Sequence, residues 1–499
     1  MTLKNKIYIP LLIAALSMGS CKKSYLDTAP TDSIADDQAY KTTANAMANL
    51  NGIHRSMFIQ YFSQDQGGQG SVNLNVDYMG EDIVNSISTS AYGNYKWINH
   101  KSALTSSSTN AFVYSFYYRI IANANGLIAN IDNAVGPQAD KDQIKAEALT
   151  YRAWAHFALV QLFGIRYDAA GNNTQLGVPL ITAQINEHTP GQPRATVEAV
   201  YAQINKDLDL AITTFATASG RKLKSHFNIN VSKGIKARVA LAQGKWAIAA
   251  QNASEAGVGF PLMSAADYLA GFNNINNAEW MWGSYQQDDQ TTYFYSFFAY
   301  MGTFGSSANK TNPKRINSVL FNKLSDDDVR KSLWDPTGTN KAFPIPTGGI
   351  RATYQQRKFT NAGITSIGDL VHMRASEMYL IEAEARAHLG VEGNAAETTK
   401  AQTVLNVLAK ARNPKYVLST NTGQSLLEEI YIQRRAELWG EGFRFFDLKR
   451  LNLPLDRTGG NATIAIATTL SVPAGGPLWQ WNFPQDEINS NLNLGGQNP

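Results

Sequence analysis

Residues 234–257 read GIKARVALAQGKWAIAAQNASEAG, two alanine-rich segments on either side of Gly244. Alanine has the highest helix propensity, and glycine readily adopts the left-handed backbone conformation that ends a helix. Small side chains also let two helix axes approach closely. The stretch therefore predicts a helix, a tight turn at Gly244 and a second helix packed against the first.

A second stretch repeats this scheme. Residues 379–413 read YLIEAEARAHLGVEGNAAETTKAQTVLNVLAKARN, with Gly390 near the turn and with Ala395, Ala396 and Leu405 after it. Repeated helical hairpins of this kind are typical of tetratricopeptide repeats, whose stacked units share a continuous core. We therefore expect tetratricopeptide-like hairpins.

Helical patterns account for much of the remaining chain. Residues 140–164 carry apolar residues at spacings of three and four on two faces, which predicts a helix packed on both sides. The last predicted helix begins with the capping-box pattern Ser425 and Glu428. Further helices are predicted at residues 39–62, 110–133, 196–215 and 425–439. The fold class is therefore predicted to be all-α with minor β structure.

Long polar stretches separate the helices. Residues 63–82 (SQDQGGQGSVNLNVDYMGED) and 302–315 (GTFGSSANKTNPKR) are rich in Gly, Asn, Ser and Gln, and we interpret both as loops. Long ordered loops on a helical scaffold often carry function. Because composition shifts nowhere along the body, we expect a single domain over residues 36–499.

Composition excludes several classes of protein. A formal net charge of +4 over 499 residues, with no basic run longer than a pair, is not the footprint of a nucleic-acid-binding protein. Cys21 is the only cysteine, so the chain has no internal disulfide and no cysteine-based zinc or iron–sulfur site.

The N-terminus has the pattern of an export signal. Lys4 and Lys6 precede the apolar run Ile7–Leu16, and small residues lead into Cys21. The run is shorter than the roughly twenty residues that span a bilayer. The stretch resembles a bacterial lipoprotein signal, which implies that the thiol of Cys21 is acylated; the alternative is a cysteine that lies in the signal by chance. We expect a signal at residues 1–20 and a lipidated tether at 21–35.

The C-terminal part of the chain carries a family resemblance. Residues 426–452, LLEEIYIQRRAELWGEGFRFFDLKRLN, closely resemble the hallmark of the SusD/RagB family of Bacteroidetes surface lipoproteins. Further stretches agree in the same order: KAEALTYRAWAHFALVQLFG followed by GVPL, VYAQINKDLDLAI, RASEMYLIEAEARAHLG and FPQDEINSNLNLGGQNP. The resemblance covers nearly the whole chain after the signal.

This resemblance implies a fold and a role. The implied fold is a superhelix of tetratricopeptide-like hairpins that supports a loop-rich ligand-binding side. The implied role is non-catalytic capture of a nutrient, most often an oligosaccharide, and its delivery to a SusC-type TonB-dependent transporter in the outer membrane. The protein would be lipid-anchored there and face the cell exterior. Alternatives are the same architecture binding peptides or another nutrient, or a helical lipoprotein glycosidase that uses paired carboxylates.

The charged residues of the hallmark have a structural interpretation. At spacings of three and four along helices, and among large apolar residues, they are expected to form paired and partly buried charges rather than an acid–base site. These residues are Arg434, Arg435, Glu437, Glu441, Arg444 and Asp447.

Aromatic residues in polar surroundings are the candidates for ligand binding, because a sugar ring offers a flat C–H face and a rim of hydroxyl groups. Ten of the twenty-five residues from Trp280 to Phe304 are aromatic. Trp280 and Trp282 alternate as on a strand, so they are predicted to share one face. In this segment Phe294, Phe297 and Phe298 are expected in the core. The candidates for the ligand are Trp280, Trp282, Tyr285, Tyr293, Tyr295 and Tyr300.

A second candidate group lies in residues 90–100, SAYGNYKWINH. The family often supplies an aromatic platform from a comparable N-terminal region, which favours Trp97 as an exposed platform. The candidates in this group are Tyr92, Asn94, Tyr95 and Trp97.

No catalytic, metal or cofactor motif is recognisable. HExxH, GxSxG, GxGxxG and phosphate-loop patterns are missing, and no two of the seven histidines lie four residues apart on a predicted helix. His156 is expected to be a hydrogen-bonded core residue. The acidic run in residues 325–335 lacks the spacing and glycine of an EF-hand loop. The sequence thus predicts no enzyme, no cofactor and no metal site.

Overall fold

The computed structural model describes residues 38–63, 65–87, 93–102, 108–186, 188–287, 297–302, 307–361 and 366–499. These residues are mainly helical, with short strands, which confirms the predicted fold class. The helices are α1 (Thr43–Ser56), α2 (Gly68–Tyr78), α3 (Thr109–Asn130), α4 (Gln138–Phe163), α5 (Val197–Thr214), α6 (Ile229–Ala242), α7 (Trp246–Ala256), α8 (Ala265–Tyr268), α9 (Phe297–Met301), α10 (Ser307–Lys310), α11 (Ser318–Phe321), α12 (Ala375–Val391), α13 (Ala395–Arg412), α14 (Gly423–Glu437), α15 (Arg444–Arg450), α16 (Ile464–Ala467) and α17 (Gln485–Ser490).

The strands are short. They are β1 (Ile83–Val84), β2 (Leu176–Pro179), β3 (Arg194–Thr196), β4 (Trp280–Ser284), β5 (Arg315–Ile316), β6 (Trp334–Asp335), β7 (Gln355–Gln356), β8 (Leu370–Arg374), β9 (Leu455–Asp456) and β10 (Ser471–Val472). One sheet has the order β1-β5-β7-β6, and every pairing is antiparallel. The pairs β2–β3, β4–β8 and β9–β10 are also antiparallel.

The long helices stack in succession. Helix α4 packs against both α3 and α5, and α6 packs against both α5 and α7. Helix α7 contacts α12, which also packs against α13 and α14. This arrangement confirms the predicted superhelix of hairpins.

The two predicted hairpins are present. Gly244 has a φ of +68° in the turn between α6 and α7, a conformation that L-residues with a Cβ atom rarely adopt. The second turn uses Gly393, with a φ of +106°, and Gly390 lies near this turn, as predicted, in the last turn of α12. Ala249 and Ala253 of α7 are fully buried, as close packing of helices requires.

Side-chain caps explain where several helices begin. The hydroxyl of Thr42 accepts a hydrogen bond from the backbone N–H of Asn45 at 3.1 Å, at the start of α1. Thr196 caps α5 in the same way. These caps satisfy N–H groups that have no partner inside the helix.

Two local predictions are wrong. Residues 63–82 are not a continuous loop, because α2 occupies residues 68–78 and buries most of its side chains. The proposed capping box at Ser425 does not begin a helix either, because α14 already starts at Gly423 after Thr422.

A buried charge cluster surrounds the carboxylate of Glu437. Arg374 Nη1 lies 2.7 Å from Glu437 Oε1, and Arg412 Nη2 lies 3.0 Å from the same oxygen. Arg330 Nη1 reaches Glu437 Oε2 at 3.2 Å. Burial opposes the charged form, but the three guanidinium groups outweigh it and hold the pKa of Glu437 well below its usual value. The cluster is completed by Glu279, Lys358 and Glu441.

The other hallmark charges are paired as well. Arg434 Nε donates to Asp447 at 2.8 Å. Arg435 pairs with Asp82 at 2.6 Å, and Arg444 pairs with Glu81 of the same loop at 2.5 Å. The structural interpretation of the hallmark is therefore confirmed.

The N-terminal segment lies outside the described residues, so the predicted signal and the acylation of Cys21 stay predictions. Across the described ranges, none of the helices combines the length and the hydrophobicity needed to cross a bilayer.

Replacing Glu437 by Gln keeps the shape of the side chain but removes its charge. Arg330, Arg374 and Arg412 then lose a shared anionic partner in a buried site. Removing one member of a buried ion pair typically costs about 3–5 kcal/mol, so we expect a loss of that order in the free energy of unfolding. Urea denaturation followed by circular dichroism measures it.

A matched control is Asp327→Asn, which breaks an exposed ion pair with Lys415 (2.8 Å). We expect this variant to keep the urea midpoint of the native protein. An unchanged midpoint for Glu437→Gln would contradict a stabilising role of the cluster.

Candidate functional site

Trp97 belongs to the core. Its side chain is 4% exposed, and its indole N–H donates to the carbonyl of Met79 at 3.0 Å. The ring packs edge-on against Trp479, with centroids 4.8 Å apart, and it also contacts Phe445. The predicted exposed platform at Trp97 is therefore corrected, because C-terminal aromatic residues cover the ring.

Its neighbours Asn94 and Tyr95 are also buried. Asn94 Nδ2 donates to Asn75 Oδ1 at 3.1 Å, and the guanidinium carbon of Arg457 lies 4.3 Å from the centroid of the Tyr95 ring. The expected exposure of these two side chains is not found. Tyr92 lies outside the described residues.

Trp280 and Trp282 do not share a face. The ladder between β4 and β8 has an irregular register between these two tryptophans, so the simple alternation of a strand is broken. Trp280 packs in the core cluster that contains Trp439, whereas Trp282 packs in the cluster that contains Trp154. The predicted common face is therefore wrong, and both indoles are almost fully buried.

The candidates after β4 divide into three groups. Tyr285 is 50% exposed, as a ligand platform requires. Tyr300 is 6% exposed and lies in the core with Phe297 and Phe298, which confirms the core assignment of these two phenylalanines but not the expected exposure of Tyr300. The positions outside the described residues are Tyr293, Phe294 and Tyr295.

The backbone fixes the position of Tyr285. We call Ser284–Gln287 together with Asp369 and Leu370 the ladder end. Ser284 pairs with Leu370, and the carboxylate of Asp369 accepts the backbone N–H of Gln286 at 3.0 Å. Asp369 also accepts from the N–H of Ile275, and burial raises its pKa. Tyr285 thus projects from an anchored segment.

Helix α2 begins beside the ladder end. A Cβ atom on Gly70 would lie 3.0 Å from Cβ of Phe297 and 3.1 Å from a methyl carbon of Leu370. Such distances are shorter than nine in ten real contacts of a Cβ atom, so a larger residue here would require Phe297 or Leu370 to shift. The close packing brings the start of α2, α9 and the ladder end together.

The same helix and ladder line a cavity of about 90 Å³, which we call the central cavity. By this measure a water molecule needs roughly 10–15 Å³, so the cavity can hold several waters or a small polar group. Its aromatic wall consists of Tyr117, Trp154, Phe157, Trp282, Phe443 and Phe446. Its polar wall includes Gln69, Asn73, Gln161, His372, Arg434 and Glu441.

Hydrogen bonds orient the polar wall. Tyr117 donates to Gln69 Oε1 at 3.0 Å, and Gln69 Nε2 donates to Asn73 Oδ1 at 2.7 Å. Among the described residues, Arg434 Nη1 and His372 Nδ1 have no hydrogen-bond partner although both atoms are buried. Aromatic faces beside free donors and acceptors suit a ligand that carries hydroxyl groups.

His372 is held in its neutral form. Its Nε2 lies 2.7 Å from the hydroxyl of Ser284, and its ring centroid lies 4.6 Å from that of Trp282. Burial lowers the pKa of His372 to about 3, and the nearby charge of Arg238 acts in the same direction. The imidazole therefore acts as a neutral hydrogen-bonding group at neutral pH.

Sequence reasoning identified Trp282 and Tyr285 in this region but missed the rest of the cavity wall. Trp154 and Phe157 belong to the two-faced apolar pattern of α4, which predicted burial without a cavity. Gln69 and Asn73 lie in a stretch that was interpreted as a loop. His372 gave no signal, because its surroundings come from distant segments.

Two family models match successive parts of this chain. Residues 244–499 match the model of the SusD family. Residues 25–241 match a SusD-like family model described as starch-binding and associating with the outer membrane. The two matches meet between α6 and α7, inside the first predicted hairpin.

Solved structures show the same architecture. A SusD-like carbohydrate-binding protein from Bacteroides vulgatus is 26% identical, superimposes with a TM-score of 0.78, and the match covers 91% of this chain and 98% of that one. A laminarin-binding SusD-like protein is 21% identical, with a TM-score of 0.67 and coverage of 92% and 100%, and it shows a shared fold.

A curated relative matches over a shorter segment. The SusD-like protein P2 of Formosa agariphila is 27% identical over 163 residues, which are 32% of this chain. This match spans about 30% of that relative's length.

The pKa of His372 predicts how stability depends on pH. The ordinary pKa of 6.5 applies to the unfolded chain, and the folded value is about 3. Between these values the folded state binds fewer protons, so the free energy of unfolding falls as the pH is lowered. We expect His372→Gln to remove up to about 1.4 kcal/mol per pH unit from this slope, as measured by urea denaturation at several pH values.

Ser284→Ala is the matched control, because it removes the hydrogen bond of His372 but keeps the titrating group. We expect it to lower stability without changing the slope. If His372→Gln kept the native slope, the burial argument would fail.

Proposed function

Because this chain belongs to the SusD family, we propose that it captures a glycan without cleaving it and delivers it to a SusC-type TonB-dependent transporter. The observation that carries the proposal is the agreement of both halves of the chain with SusD-type family models. The similarity to a carbohydrate-binding protein over nearly the whole chain supports the same class of ligand.

The ladder end is the proposed ligand-binding face. Tyr285 offers a half-exposed ring on a segment whose backbone is anchored by Asp369. A sugar ring stacks on such a face through its C–H groups, while amide side chains bind its hydroxyl groups. The side-chain oxygen of Gln286 is buried and has no partner within the described part of the chain. It is an acceptor for a ligand hydroxyl, or for a water that bridges to one.

The remaining aromatic candidates are still predictions from the sequence alone. Ligand binding by Tyr92, Tyr293 and Tyr295 stays a prediction, since these residues lie outside the described ranges. Trp282 would contact a group bound in the central cavity, because it lines the wall of that cavity. The cavity is too small to enclose an oligosaccharide, so it would bind at most a terminal group or ordered water.

The pKa values and the partners of the buried carboxylates support ligand binding rather than glycan hydrolysis. A glycosidase needs two carboxyl groups on either side of the scissile bond, one of which donates a proton. Glu437 and Glu441 are buried against arginines, and their pKa values are lowered. They therefore hold structure and are poorly placed to donate a proton to a ligand. Asp369 belongs to the ladder end and burial raises its pKa, but both of its oxygens accept backbone N–H groups.

Membrane attachment would follow from acylation of Cys21. Two or three acyl chains are enough for stable anchoring, because each buried methylene contributes roughly 0.8 kcal/mol. The polar residues 22–35 would then act as a tether that lets the body bind and release the transporter at the cell surface.

Tyr285→Ala tests the ligand-binding face. We expect the purified native protein to bind at least one member of a panel of starch- and laminarin-derived oligosaccharides in isothermal titration calorimetry. Loss of one stacking surface is expected to weaken this binding by about two- to tenfold, because an aromatic contact of this kind contributes about 0.5–1.5 kcal/mol. Circular dichroism checks that the fold is retained.

Val417→Ala serves as control, because Val417 is 79% exposed in the connection between α13 and α14. It is expected to keep the native affinity. Binding of a peptide pool without any glycan would contradict the carbohydrate proposal. Release of reducing ends from a bound polysaccharide would contradict the non-catalytic one.

Cys21→Ser tests the anchor. Without the thiol no acyl chain is attached, so we expect the protein to move from the membrane fraction to the soluble fraction. Its helical circular dichroism should be unchanged, because Cys21 lies in the predicted tether, before the predicted helical domain. Persistence in the membrane fraction, or loss of the fold, would contradict attachment through Cys21.

A further inference from the structure

Three polar side chains converge where α1, α4 and the segment before α6 meet. His54 Nε2 lies 3.0 Å from His226 Nδ1, which lies 3.1 Å and 3.2 Å from the two oxygens of Glu147. His54 Nε2 is 3.7 Å from Glu147 Oε2. In the described part of the chain this is the group of three histidine, cysteine or acidic residues whose ligand atoms all lie within 4.8 Å of one another.

The protons in this group can be arranged in two ways. A neutral imidazole carries one N–H, and a carboxylate only accepts. If His54 Nε2 donates to His226 Nδ1, then the lone pair of His226 is used and the nitrogen faces the carboxylate of Glu147 without a proton between them. If His226 Nδ1 donates to Glu147 instead, His54 Nε2 shares that same proton. In both arrangements two imidazole nitrogens and a carboxylate, each able to bind a metal ion once its proton is lost, lie within one small region.

A divalent cation fits the spacing of these three groups. With zinc–nitrogen bonds of about 2.0–2.1 Å, ligand atoms at tetrahedral positions lie about 3.3 Å apart. The observed separations of 3.0, 3.1 and 3.7 Å bracket this value. Two histidines and one glutamate are a ligand set that zinc uses when one position stays open to water.

Neighbouring groups orient all three ligands. His54 Nδ1 is hydrogen-bonded to the hydroxyl of Tyr151 at 2.6 Å. The carboxylate of Glu147 accepts from Gln143 Nε2 at 2.7 Å and from the backbone N–H of Phe227 at 2.9 Å. Outer contacts of this kind fix the rotamers and tautomers of metal ligands.

The two imidazoles lie near the surface. The side chains of His54 and His226 are 10% and 11% exposed, whereas that of Glu147 is fully buried. Arg221 brings a positive charge close to this carboxylate, and its guanidinium is held by the carbonyls of His226 and Met281. Zinc bound here would share the negative charge of Glu147 with this guanidinium.

We propose that His54, Glu147 and His226 form a zinc-binding site that joins α1 to α4 and to the segment before α6. Zinc matches imidazole and carboxylate ligands better than magnesium or calcium, which prefer oxygen ligands alone. Because the three ligands come from three separate elements, bound zinc stabilises their packing. The proposal is independent of glycan binding.

The test measures zinc retained by the full chain. Purified protein is stripped with a chelator, dialysed against Zn²⁺ at low micromolar concentration, and analysed by elemental mass spectrometry. We expect one Zn²⁺ per chain and a zinc-dependent rise in the melting temperature, because a ligand that binds only the folded state stabilises it. Substituted Co²⁺ should give the visible absorption of tetrahedral coordination.

His226→Gln and Glu147→Gln are expected to reduce retained zinc to background while circular dichroism stays native. Tyr151→Phe removes only an outer contact, so it should fold and lose about 10–100-fold in zinc affinity. His188→Gln removes an exposed histidine elsewhere and should retain zinc as the native chain does. The proposal is overturned if the native chain retains no zinc, or if it retains zinc that His226→Gln and Glu147→Gln leave unchanged.

Discussion

The carboxylate of Glu437 joins four segments of the chain through buried ion pairs. Glu437 is the last residue of α14, and its carboxylate binds Arg374 at the end of β8, Arg412 at the end of α13 and Arg330 in the 3₁₀ helix Val329–Leu333. A buried charge that loses its partners costs several kcal/mol, so the four segments can pack only in the arrangement that pairs them. The helical hairpins and the ladder between β4 and β8 thereby take fixed positions relative to each other.

This fixed ladder positions the proposed ligand-binding face. Arg374 lies at one end of β8, in the charge cluster, and Leu370 lies at the other end, beside Ser284 and Tyr285. The cluster therefore helps to fix where the half-exposed ring of Tyr285 lies. The family hallmark specifies structure, and the proposed ligand contact at Tyr285 lies outside it.

The sequence predicted the helices and hairpins well, because their signals are local: apolar spacing, alanine content and a turn glycine such as Gly244. It predicted the exposure of aromatic residues poorly. Burial of Trp97 depends on Trp479, and separation of Trp280 from Trp282 depends on an irregular register, neither of which has a local signal. His54 and Glu147 lie 172 and 79 residues from His226, so spacing could not reveal their cluster.

Hydrogen–deuterium exchange with a bound oligosaccharide tests the location of the ligand site most directly. The account predicts slower exchange in peptides that cover Ser284–Gln287, Asp369–Leu370 and the start of α2, because a ligand on the ladder end shields these amides. Slower exchange confined to the hairpins α6–α7 or α12–α13, with none at the ladder end, would contradict it.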